Sequence, residues 1–184
     1  MKNNNKNITI YCSSSNEIDD IYFSQTEELI FELAKKGYKI VYGGGDRGLM
    51  GTVANTALKQ NAKITGIIPH FMTEREWEHK GISDMIHVDT MHQRKELLIK
   101  DTSAVIALPG GVGTLEELCE IIASKKLGLF TKPIIIYNIN RFYDALFELI
   151  KKMNSERFTD MQLEDLINIA VSPQEVINII ENEK

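Results

Sequence analysis

Apolar residues fall into two alternating kinds of segment along this chain. Short runs dense in Ile, Val and Tyr occur at Ile8 to Cys12, Tyr38 to Tyr42, Lys63 to Ile68, Met85 to Val88, Ser103 to Leu108, Pro133 to Tyr137 and Leu166 to Val171. Their length and β-branched content predict strands. Between them lie longer stretches with apolar positions three or four apart, at about Ile18 to Lys36, Leu49 to Gln60, Met91 to Lys100, Thr114 to Leu127, Phe142 to Met153 and Pro173 to Glu181. That period predicts amphipathic helices. The punctuation agrees: Gly37 and Gly128 stand just past helix ends, Asp89 or Thr90 offers a cap, and Ser172 precedes Pro173 at a first helical position. Strands alternating with helices, the strands almost uniformly apolar, predict an α/β fold: a Rossmann-like, doubly wound, mostly parallel sheet flanked by helices. The 184 residues fit one domain, 1–184, with the polar first seven expected to fray.

In such sheets ligands bind at the carboxyl ends of the strands, so the loops that follow strands carry the chemistry. The first is Ser13-Ser14-Ser15-Asn16, a polar cluster able to cap a helix or to hydrogen-bond a ligand. The second runs from Gly43-Gly44-Gly45 through Asp46 and Arg47 to Gly48. It spells G-x-G-x-x-G, but the acid that binds ribose in dinucleotide sites is missing: Ile64 to Pro69 holds no carboxylate, and the next is Glu74. The loop therefore reads as an anion cradle, not as a dinucleotide fingerprint. His70 to Gly81, with the single tryptophan Trp77, is a long polar excursion of the kind that compact domains keep for function.

The third loop is Leu108-Pro109-Gly110-Gly111-Val112-Gly113-Thr114-Leu115-Glu116-Glu117, a glycine-rich turn between strand and helix. A helix N-terminus offers unpaired N–H groups and partial positive charge, which favour a phosphate or another anion. Two carboxylates, Glu116 and Glu117, share that turn. Thr114-x-x-Glu117 also has the form of a capping box, which would make the glutamate purely structural. Arg94 and Lys95 supply a planar fork and a mobile point charge from a neighbouring helix.

Composition narrows the choices. Hydrophobic residues make up 43% and charged residues 26%, as in ordinary globular proteins. A formal net charge of −5 argues against nucleic acid as a partner. Cys12 and Cys119 are too few for a disulfide framework and read as small buried hydrophobes. No signal peptide or membrane span is evident, which points to the cytoplasm. His70, His79, His87 and His92 lack metal-ligand spacing, so no metal site is expected.

Met91-His92-Gln93-Arg94-Lys95, followed by Pro109 to Glu117 and preceded by Gly43-Gly44-Gly45 and Gly48-Leu49-Met50-Gly51, closely resembles the Lonely Guy (LOG) family. These are cytokinin riboside 5′-monophosphate phosphoribohydrolases, long labelled lysine decarboxylases. The likeness spans nearly the whole chain. It implies a Rossmann-like homodimer that hydrolyses the N-glycosidic bond of an adenosine-type 5′-monophosphate, releasing free base and ribose 5-phosphate without metal or cofactor. Carried over by position, it makes Arg94 and Glu117 the catalytic pair. Glu76, Lys95, Gly111, Val112, Gly113, Thr114, Leu115 and Glu116 then bind substrate, together with Gly43, Gly44, Gly45 and Ser14. Two departures bear on base preference: Cys12-Ser13-Ser14 replaces the usual Cys-Gly-Ser, and Ala123-Ser124 replaces Thr-Trp. The alternative is a non-enzymatic nucleotide or pterin-phosphate carrier of the molybdenum cofactor carrier type. A carboxylate beside the anion discriminates, because a pure phosphate binder loses affinity from it.

Overall fold

The computed structural model describes residues 6–73, 78–160, 162 and 165–182. Strands β1 (Asn7–Tyr11), β2 (Lys39–Tyr42), β3 (Ile64–Pro69), β4 (Asp84–Val88), β5 (Thr102–Ala107), β6 (Ile134–Tyr137) and β7 (Asn168–Ala170) form one sheet. Its order is β4-β3-β2-β1-β5-β6-β7, and every neighbouring pair is parallel. The helices are α1 (Asp20–Lys35), α2 (Gly48–Lys59), α3 (Met91–Ile99), α4 (Val112–Lys126), α5 (Asp144–Ser155) and α6 (Pro173–Asn182). The expected architecture is the observed one. No helix among the described residues is long and apolar enough to cross a membrane.

Alternation along each strand explains the two layers of core, because successive side chains leave a strand on opposite faces. Ile8, Ile10, Ile40, Tyr42, Ile106 and Tyr137 pack with α1, α2 and α6, through Leu29, Leu33, Val53 and Val176 among others. Tyr11, Val41, Val105, Ala107 and Ile136 pack on the other face against Leu98 of α3, Leu118 and Ile121 of α4 and Phe147 of α5. Apolar residues on both faces are what a sheet covered on both sides requires.

Helix ends follow local rules where the sequence offers the groups. At the end of α1 the N–H of Gly37 donates to the Ala34 carbonyl at 2.8 Å, and that of Tyr38 to Leu33 at 3.0 Å, the paired bonds of a Schellman turn. Thr90 caps α3 in a full capping box with Gln93. Ser172 Oγ accepts the Glu175 N–H at 3.3 Å in α6.

The chain reverses its winding direction between β1 and β5, which lie side by side at the centre of the sheet. At such a switch point the loops leaving the two strands diverge to opposite faces and open a crevice. The Leu108 N–H donates to the Tyr11 carbonyl at 2.9 Å and the Ser13 N–H to the Pro109 carbonyl at 3.2 Å, so the two loops are tied before they part.

Candidate active site

That crevice holds a cavity of about 340 Å³, within the usual range for a small-molecule site. Tyr11, Cys12 and Ser13 to Ser15 line it from β1, Gly43 and Met50 from β2 and α2, Met91 and Arg94 from α3, and Gly111 to Thr114 with Glu116 and Glu117 from α4; Met72 closes one side.

The α4 N-terminus differs from the expectation in a way that changes the reading. The helix begins at Val112 with Gly111 as N-cap and no side-chain cap, so Thr114 is its third residue and Glu117 its sixth. The capping box is therefore absent. Pro109, Gly110 and Gly111 bring no side-chain acceptor, and the N-cap is Gly111, three residues ahead of Thr114. Thr114 instead folds back over Gly110, where an added Cβ would stand 2.6 Å from the Thr114 Cβ. The amides of Val112, Gly113 and Thr114 precede the first i−4 carbonyl, whose first bond is Leu115 N–H to Gly111 O at 3.0 Å. Glu117, relieved of capping, lines the cavity one and a half turns deeper.

The second glycine loop is not an open cradle. The Gly48 N–H donates to Asn16 Oδ1 at 2.7 Å, and the Met50 N–H to the Ser13 carbonyl at 3.2 Å. Ser13 to Asn16 thus close the start of α2, and α1 begins without a side-chain cap. Gly43 remains in the cavity wall, while Gly44 and Gly45 do not line it. The Gly44 carbonyl accepts the His79 N–H at 3.0 Å, and Gly45 bridges Glu78, which fastens the long excursion to this loop.

Arg94 is 5% exposed and held from two sides. Its Nη2 donates to the Gly43 carbonyl at 3.2 Å and its Nη1 contacts Met72 Sδ at 3.3 Å. Glycine at 43 leaves room for the guanidinium, since an added Cβ would run into Nη2 of Arg94 and displace it. The capping box fixes one end of α3, and the buried Thr9 hydroxyl donates to the Leu98 carbonyl at the other. Lys95, next in sequence, turns away from the cavity. Its Nζ lies 2.7 Å from Glu116 Oε1 and 2.8 Å from Glu120 Oε2. It lines a separate recess of about 70 Å³ that shares Tyr11 and Glu117 with the main cavity and also holds His92 and Ser124.

Of the residues singled out from sequence, Ser14, Gly43, Arg94, Gly111, Val112, Gly113, Thr114, Glu116 and Glu117 come together around the cavity. Gly44, Gly45, Lys95 and Leu115 do not line it, and Glu76 lies outside the described residues. Tyr11, Cys12, Met50, Met72 and Met91 were missed because apolar and thioether side chains read as core. Their positions just after strands or at helix starts were the available signal. Cys119, expected to be buried, is exposed, because α4 buries Thr114, Leu118 and Ile121, and position 119 falls off that stripe.

Electrostatics at the site follow from burial beside carboxylates. Desolvation first, then Glu117, Glu120 and Glu116, push the Tyr11 phenol far above its ordinary value, so it stays a neutral hydroxyl. Burial, then Glu117, likewise push the Cys12 thiol up, with Arg94 opposing. Both residues thus act on the Cys12 thiol, and burial keeps it protonated.

The fold and the cavity together define an α/β protein with a helix N-terminus free of a side-chain cap at a topological switch point, flanked by a buried arginine and a carboxylate. Sequence comparison identifies its relatives. The family described as possible lysine decarboxylase matches residues 50–180. A cytokinin riboside 5′-monophosphate phosphoribohydrolase of Arabidopsis thaliana is 35% identical over 176 residues, 96% of this chain and 83% of the relative. A probable enzyme of the same name from Oryza sativa subsp. japonica is 36% identical, over 96% of this chain and 72% of its own. The chain belongs to this LOG family. Among solved structures, a molybdenum cofactor carrier protein from Chlamydomonas reinhardtii superposes with a TM-score of 0.72 at 14% identity, over 96% of each chain. A molybdenum cofactor binding protein from Rippkaea orientalis gives 0.68 at 21%, over 96% of this chain and 94% of the other. At these identities the likeness is one of fold.

Proposed function

We propose that this protein is a nucleoside 5′-monophosphate phosphoribohydrolase, which hydrolyses the N-glycosidic bond of an adenosine-type nucleotide to free base and ribose 5-phosphate. The observation that carries the reading is the lining of one cavity by Glu117 and Arg94 beside the open amides of α4. The names of the relatives agree with it.

In this reading the 5′-phosphate rests on the amides of Val112, Gly113 and Thr114, where backbone donors and the helix dipole converge. Its binding energy holds the ribose against Glu117. Departure of the base leaves an oxocarbenium-like sugar, which the Glu117 carboxylate stabilises while it orients or deprotonates the attacking water. Arg94, fixed by Gly43 and α3, holds charged groups of the site in place. A carrier of a phosphorylated ligand has no use for Glu117 in that position, because its charge opposes the anion.

The decisive experiment is chromatography of products after incubation with nucleosides and their 5′-monophosphates. Adenine, or an N6-substituted adenine, is expected from the monophosphates far faster than from the nucleosides. Equal turnover of adenosine and AMP would contradict the reading. The same proposal includes a cytoplasmic homodimer. Val112, Leu115 and Leu127 of α4 and its C-cap are 84%, 39% and 71% exposed, an apolar surface suited to a second copy. A monomer mass by light scattering at micromolar concentration would remove the dimer from the proposal.

A further inference from the structure

We infer that Tyr143 is a positioning residue for the phosphate cradle: its hydroxyl, carried by the turn between β6 and α5, fixes the peptide unit through which the chain enters Pro109-Gly110-Gly111 and α4. This rests on the function proposed above, in which the α4 amides take the 5′-phosphate.

The segment that leads into the cradle needs outside support. The β5–β6 register ends at Ala107↔Ile136, and Leu108 to Gly111 then run from the sheet to Val112, the first residue of α4. Gly110 and Gly111 have the widest backbone freedom of any residue, so they do not set their own direction. That direction is set upstream, where each peptide unit is planar and Pro109 fixes its own φ. Three successive peptide units are each tied once. The Leu108 N–H, on the unit from Ala107, donates to the Tyr11 carbonyl, and the Pro109 carbonyl, on the unit to Gly110, accepts the Ser13 N–H. The unit between them joins Leu108 to a proline and therefore has no N–H. Its carbonyl is its one hydrogen-bonding group, and it accepts the Tyr143 hydroxyl at 2.7 Å. Leu108 is fully buried, so no solvent takes the place of that donor.

Tyr143 is itself held firmly. Its N–H donates to Asn138 Oδ1 at 2.7 Å, and Asn138 Nδ2 donates to Asp144 Oδ1 at 2.8 Å. Arg141 Nε donates to the other Asp144 oxygen at 2.7 Å, and the Asn138 N–H donates to the Ala170 carbonyl of β7 at 2.8 Å. The turn keeps Asn140 and Arg141 in left-handed conformations, with φ of +50° and +60°. Side chains adopt these at a cost, and they persist where the surroundings over-determine them. The ring belongs to the same buried cluster as Leu118 of α4 and Phe147 of α5. Burial pushes the phenol far above its ordinary value, so the hydroxyl keeps the proton it donates. A rigid turn thus reaches the entry of the cradle through one hydroxyl.

The test compares wild type with three variants. Tyr143→Phe deletes the hydroxyl and keeps the ring. Asn138→Ala keeps the hydroxyl but releases the residue that carries it. Val176→Ala opens a cavity in the core on the other face of the sheet and controls for lost stability alone. Calorimetry gives the affinity for ribose 5-phosphate, and base release from AMP and from adenosine gives kcat/KM for each. Tyr143→Phe is expected to weaken ribose 5-phosphate binding by about 10-fold and to lower kcat/KM for AMP by about as much or more, with adenosine within about twofold of wild type. Adenosine has no phosphate to rest on the cradle, so its rate does not depend on the cradle's position. Asn138→Ala should act in the same direction by about three- to tenfold, and Val176→Ala should keep both ratios within about twofold. Ribose 5-phosphate affinity within about twofold of wild type in Tyr143→Phe would overturn the inference. Equal losses on AMP and adenosine would overturn it too, since that is the mark of a residue that only stabilises the fold. Should Tyr143→Phe not fold, Asn138→Ala decides by the same measures. If wild type binds ribose 5-phosphate but releases no base, the proposed function fails and calorimetry alone decides the role of Tyr143. Wild type that does not bind ribose 5-phosphate overturns the inference outright.

Discussion

Replacing Glu117 with glutamine removes one negative charge from the cavity and leaves its shape almost unchanged. Had this residue closed a capping box, glutamine could still have served it. The structure removes even that role, since α4 starts at Val112 and Glu117 is its sixth residue, clear of the capping positions. The loss of stability should therefore be below ~1 kcal/mol, because glutamine keeps the shape of the side chain and a hydrogen-bonding oxygen. Turnover is another matter. If the carboxylate faces an oxocarbenium-like sugar, its neutralisation should lower kcat by about 100-fold or more, which corresponds to roughly 2.7 kcal/mol of transition-state stabilisation. The assay pairs base release from AMP, followed by chromatography, with thermal unfolding of the same preparation. Arg94→Ala should damage the same step, and the double variant should add little, because groups that act as a unit are not additive. A Glu117→Gln protein that melts like wild type and hydrolyses AMP at a near-normal rate would refute the catalytic assignment.

Other expectations follow from particular contacts. A Cβ added to Gly113 meets nothing within 4 Å, so Gly113→Ala should raise stability by about 0.5–1 kcal/mol through helix propensity while weakening AMP binding at the cradle, seen as a higher melting temperature with a higher KM. Arg157 follows α5 with φ of +63°, a left-handed conformation that costs a side chain about 1 kcal/mol, so Arg157→Gly should stabilise the protein by about that amount in urea unfolding. The raised pKa of Lys95 gives a signed pH dependence: its contribution is fully present below the ordinary lysine value of about 10.4 and is lost as pH rises through the higher folded-state value. The stability difference between wild type and Lys95→Gln should therefore stay constant from pH 7 to about 10 and shrink only above it.

The periodicity of the chain determined the elements, and nearly all its strands and helices lie within two or three residues of their expected places. The reason is local: runs such as Ile134 to Tyr137 are stable only when covered on both faces, and stretches such as α6 have one apolar stripe to bury. The motifs also marked Arg94, Gly111 to Thr114 and Glu117 as neighbours of a ligand, because glycine-rich turns after strands fall at one sheet edge in this architecture. Tertiary structure decided what local spelling left ambiguous. Thr114-x-x-Glu117 obeys the capping rule in sequence, yet the space above Gly110 drew Thr114 into packing and freed Glu117 for the cavity. Gly43 to Gly48 has the composition of an anion cradle, but Asn16 and Ser13, brought alongside from β1, already hold the amides of Gly48 and Met50. Lys95 sits next to Arg94 in sequence and points elsewhere, because successive helix residues diverge by about 100° and the carboxylates of α4 lie on its side. Sequence fixes which groups are available, and only the packing of distant segments fixes which of them remain open to a ligand.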